Sequence, residues 1–98
     1  MDPEVAQAVE ITAAVAAALE CCEPAIQARS MAYRAARAGA LADAADFVRD
    51  AAQAVLAASP DLARRVTVHA VAEIVGMQLF AMLNGDLPMH DDRSNLRN

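Results

Sequence analysis

The sequence predicts an all-α fold, a small bundle of three to four antiparallel, alanine-rich helices completed by dimerisation. Three observations carry this. Two helix-start signals, Asp2-Pro3-Glu4 and Ser59-Pro60-Asp61, each place a capping side chain before a first-turn proline and acid. Between them apolar residues recur every three or four positions, and no alternating strand pattern competes. Finally, Val66–Leu83 (VTVHAVAEIVGMQLFAML) is apolar on nearly every face, broken only by Thr67, His69, Glu73 and Gln78. A helix apolar all round must be covered on several sides. In 98 residues that cover is hard to find within one chain, which is the reason to expect a second subunit.

The first helix should run from Pro3 to about Cys22. Val5, Val9, Thr12, Ala16 and Leu19 form one stripe, with Ala8, Ile11, Val15 and Cys22 beside it. Glu23-Pro24 should break it, since proline disfavours helical geometry in the residue before it. A second helix, Pro24–Ala38, then reaches Gly39, which either caps it in the left-handed region or sits inside one helix running on to Ser59. Its periodicity is poor: Ile26 and Tyr33 share a face while Met31 points elsewhere. The third helix, Ala40–Ala58, sets Asp43, Asp46, Asp50 and Gln53 on one face. Leu41, Ala44, Ala45, Val48, Ala52 and Val55 take the other. The fourth starts at Ser59-Pro60-Asp61, carries Arg64 and Arg65 near its start and stops at Asn84-Gly85. Residues 1–85 thus read as one helical domain, and 86–98 as a polar, flexible tail.

Apolar residues make up 57% of the chain, but 26 of them are alanine, which favours helix and close backbone approach more than buried area. Gly76, with Ala72 one turn before it, is the expected point of closest helix contact, where a larger residue should damage folding or assembly. The net charge of −5 is unevenly spread. Met1–Glu23 holds Asp2, Glu4, Glu10, Glu20 and Glu23 and no base, whereas Pro24–Ala40 holds Arg29, Arg34 and Arg37 and no acid. Such blocks attract, within one subunit or between two.

Composition and motifs exclude much. Cys21 and Cys22 are adjacent with no third cysteine, so one should face the core and the other solvent, in a reduced, cytoplasmic setting. Val66–Leu83 is at the lower length limit for a membrane span and contains Glu73 and His69, so a membrane role is not expected. His69 and Glu73, four apart, share a helical face and could begin a metal site or orient a proton-transfer group. Only His90 in the tail is available as a further histidine. A hydrogen-bonded pair is the simpler expectation, and acid pH would loosen assembly if that pair were buried between subunits. The arginines suggest a basic patch, but the net negative charge argues against nucleic acid. No serine or threonine has a partner base, and the three glycines are scattered. No enzyme activity, cofactor, metal or small-molecule substrate is therefore expected.

By elimination the sequence points to a non-enzymatic binding protein. It would be a helical homodimer that inhibits or sequesters a larger protein, as phages and mobile elements do to host machinery. The expected dimer interface is Val68, Val71, Val75, Gly76, Leu79, Phe80 and Leu83. Arg34 and Arg37 are the expected anchors for the partner protein. The alternatives are a chaperone or assembly subunit completed by a different chain, or a small nucleic-acid-binding regulator.

Overall fold

A computed structural model describes residues 2–85. Among the described residues there are five helices and no strand: α1 (Pro3–Cys21), α2 (Glu23–Arg37), α3 (Leu41–Ala58), α4 (Pro60–Ala63) and α5 (Val68–Leu83). The expected tail, with His90, lies outside the described residues.

Local chemistry sets each boundary. The Asp2 carboxylate accepts a hydrogen bond from the Glu4 N–H at 3.0 Å, opening α1 as a cap should. Had α1 continued through Pro24, the proline ring would meet the carbonyl four residues back, at Glu20. Cys22 instead turns extended (φ −96°, ψ 107°), ending one helix and capping the next. α1 and α2 are bent by 92° there. The break falls just before the Glu23-Pro24 pair, and Pro24 sits in the first turn, where its missing N–H has no partner to lose. Gly39 does close α2. At φ +83° it is left-handed, the Ala40 N–H bonds the Ala35 carbonyl at 2.9 Å, and the Gly39 N–H bonds Ala36 at 3.0 Å. The chain then returns as α3, which lies back along α2.

The expected fourth helix is two. Ser59 caps α4, its hydroxyl accepting from the Leu62 N–H at 3.4 Å, but the helix stops at Ala63. After a turn, Thr67 is extended (φ −94°, ψ 164°) and its hydroxyl accepts from the Ala70 N–H at 3.1 Å, starting α5 afresh. The cause is local. Val66, Thr67 and Val68 are consecutive β-branched residues, poor at continuing a helix, and threonine offers the backbone a cap instead. Thr67→Ala is therefore expected to cost about 1 kcal/mol in a thermal melt, with Thr67→Ser close to wild type.

The core gathers Val15 and Leu19 of α1, Ala25 of α2, Ala51, Ala52 and Val55 of α3, Leu62 of α4, and Val71 and Val75 of α5. No polar or charged residue is buried among the described residues. Five of the twelve buried residues are alanines, so the helices approach closely but seal little area. Asp43, Asp46, Asp50 and Gln53 face solvent as expected; Leu41 and Ala45 do too, against expectation. Of the four long helices among the described residues, α1 is the least enclosed. Residues 2–10 are exposed throughout, and only Val15 and Leu19 are buried. The Cα radius of gyration, 14.1 Å, exceeds the roughly 13 Å of a compact domain this size, in keeping with a helix that projects.

Candidate association surface

α5 presents three kinds of surface. Val71, Val75 and Leu79 point into the chain's own core. Val68, Ala72 and Ile74 pack half-buried against it. The remaining stripe, His69, Glu73, Met77 and Phe80, faces outward, with Gly76 beside it and Leu83 at its end. It is polar in its first half and apolar in its second.

The apolar half is open. Met77 is 70% and Phe80 66% exposed, and together with Glu73 and Gly76 they line a shallow depression of about 580 Å³. A Cβ built on Gly76 meets nothing within 4 Å. Gly76 is thus no point of close helix contact within the chain, because its bare face turns outward rather than toward a neighbouring helix. With about 200 Å² for each large side chain, Met77, Phe80 and Leu83 leave roughly 300–350 Å² of apolar surface in contact with water. That is an ordinary size for a functional patch but well short of the roughly 800 Å² per partner of a stable interface. Of the seven residues expected to build a dimer interface, Val71, Val75 and Leu79 are therefore already used inside the subunit. Val68 is half-used, and Gly76, Phe80 and Leu83 remain on the surface. Met77 joins them: by sequence it reads as filling a gap in the core, with an adaptable binding surface the alternative, but at 70% exposed it fills none.

The polar half offers little chemistry. His69 Nε2 lies 3.2 Å from Glu73 Oε2, and both side chains are largely exposed. Water screens such a pair to near zero net stability, and it lies on the outer surface of the subunit. Among the described residues no three His, Cys, Asp or Glu side chains come together to hold a metal ion. Cys22 is half-buried, its thiol donating to the Ala54 carbonyl at 3.8 Å, whereas Cys21 is exposed and donates to Ala17 at 3.3 Å.

The two expected anchors lie on a different helix. Arg34 and Arg37 occupy the last turn of α2, where the helix dipole favours positive charge, and both are exposed. Arg37 donates to the Tyr33 hydroxyl at 3.1 Å and stands 5.7 Å from its ring centre. Arg34 borders a depression of about 340 Å³ with Ile26, Gln27, Ser30 and Met31.

No single described helix is long and apolar enough to cross a membrane; α1 and α2 are so only jointly, across their 92° bend. No protein-family model, curated protein or solved structure matches the chain.

Proposed function

We propose that this protein acts by binding rather than by catalysis, pairing with itself and docking a larger protein through the outward half of α5. The observation that supports this is the juxtaposition of Met77 and Phe80, both about two-thirds exposed, with a glycine that its own fold does not need. Glycine inside a helix costs about 1 kcal/mol relative to alanine. A bare backbone there serves a surface that approaches from outside. Methionine and phenylalanine supply the adaptable and the rigid parts of such a contact. Blocking or sequestering the bound protein is the proposed consequence.

The test separates folding from binding. Gly76→Ala is expected to raise the melting temperature by a few degrees, about 1 kcal/mol, because the added methyl meets no neighbour. Met77→Gln with Phe80→Gln should leave the melt within about 0.5 kcal/mol, as exposed positions do. Affinity capture from native cells is then run with wild type, Gly76→Ala and the double variant. Proteins held by wild type and lost from both variants support the reading. Identical captures by all three, or a double variant that unfolds, would remove it.

A further inference from the structure

Resting on the self-pairing just proposed, we infer that the contact between copies is made by the acidic α1 of one copy on the arginine face of α2 in the other, reciprocally. Of the two ways open to the opposed charge blocks, the structure leaves unused the one within a subunit. The 92° bend at Cys22 carries α1 away from the outer face of α2. Among the described residues the only ion pair reaching out of α1 joins Glu10 to Arg65 at 3.2 Å, beyond α4, and none involves Arg29, Arg34 or Arg37. Asp2, Glu4, Glu20 and Glu23 likewise make no ion pair there. The dipole accounts for arginines at the end of α2, but not for the absence of any acid between Pro24 and Ala40.

Shape points the same way. α1 carries a concave strip of small side chains, Val5, Ala8, Val9, Thr12, Ala13 and Ala16, around a depression of about 480 Å³. Val5 and Val9 are at least half exposed. Acids bracket this strip, Asp2 and Glu4 at one end and Glu20 at the other. On α2, Met31 stands out of its face, 44% exposed, with Arg34 beside it. Met31 is the projecting group that an Ala- and Val-lined strip receives, and Arg34 and Arg37 are the charges its acidic ends attract. Residues 3–10 bury no side chain in their own subunit, and a short helical segment so exposed is marginal in water, so a second copy also supplies packing that they lack.

The experiment uses the full chain in sedimentation equilibrium. Wild type is expected to be a dimer whose dissociation constant weakens about tenfold or more between about 50 and 500 mM NaCl, as screening of an exposed charged interface requires. Arg34→Glu with Arg37→Glu should be monomeric, and so should Glu4→Arg with Glu20→Arg. Both should melt cooperatively near wild type, since every altered side chain is exposed. Mixed one to one, the two variants should form a dimer again, because each α1 then meets an α2 of opposite charge. A wild type monomeric at about 100 µM in low salt, reversed-arginine protein that remains dimeric, or a mixture that stays monomeric would each overturn the inference. The readings are judged separately: a wild type that is monomeric refutes the self-pairing and this contact with it, a reversed-arginine protein that stays dimeric refutes only this contact, and a dimer that captures nothing refutes only the docking face on α5.

Discussion

Leu19→Ala is expected to destabilise the protein by about 2–5 kcal/mol, a large part of the roughly 5–15 kcal/mol that holds a chain of this size folded. Leu19 heads the fully buried large side chains, and it does so in a core where, among the described residues, five of twelve buried ones are alanine. Wherever the surrounding side chains cannot lean into the cavity left behind, the loss of contact is added to the loss of burial. The position also decides what comes loose. α1 is tied to the body by Val15 and Leu19, with Ile11, Ala18 and Cys22 only partly buried against it. Removing Leu19 should detach α1 first. In hydrogen exchange the amides of α1 should lose protection more than those of α3. Gln7→Ala, exposed on the same helix outside its concave strip, should stay within about 0.5 kcal/mol. A Leu19→Ala protein within about 1 kcal/mol of wild type would show that α1 is not seated through this residue.

What could be read in the chain beforehand divides along a physical line. Boundaries set by one residue's own stereochemistry were legible: Asp2 as a cap, Pro24 as an interruption, Gly39 and Gly85 as left-handed stops. Gly39 was the open case, and the two hydrogen bonds that cross it settle it as an end rather than an interior residue. Thr67 was missed because a threonine cap without a glutamate or glutamine three residues on is a weak signal, and here it stands at the start of a stretch that is apolar on nearly every face. Helical faces were legible too, but not which face a neighbour covers. Periodicity puts Val71, Val75 and Leu79 on one side of α5 and Met77 and Phe80 on another, both apolar. Only the packing of α3 against α5 tells them apart. The same gap misled the reading of α1, whose long stripe from Val5 to Leu19 suggests a broad buried face. The bend at Cys22 lets the body reach only its last turns.

Ala52→Leu is the complementary case and should fail for the opposite reason. Ala52 is fully buried on α3, the helix that packs against both α2 and α5. Three added carbons must push one neighbour outward or take up a strained rotamer, and overpacking of this kind costs about 1–3 kcal/mol. For a domain of this length each kcal/mol shifts the melting temperature by about 4–8 °C, so a drop of about 5–20 °C is expected. Ala57→Leu is the control: it lies on the same helix, takes the same side chain and faces solvent, so its melt should hardly move. The difference between the two isolates close packing from helix propensity. If both melt alike, the space beside Ala52 can admit a leucine, and the packing around α3 is looser than that residue's burial indicates. If they differ as expected, the alanines set how closely the helices approach. The bare outer faces of α1 and α5 then follow from a core too thin to wrap all five helices.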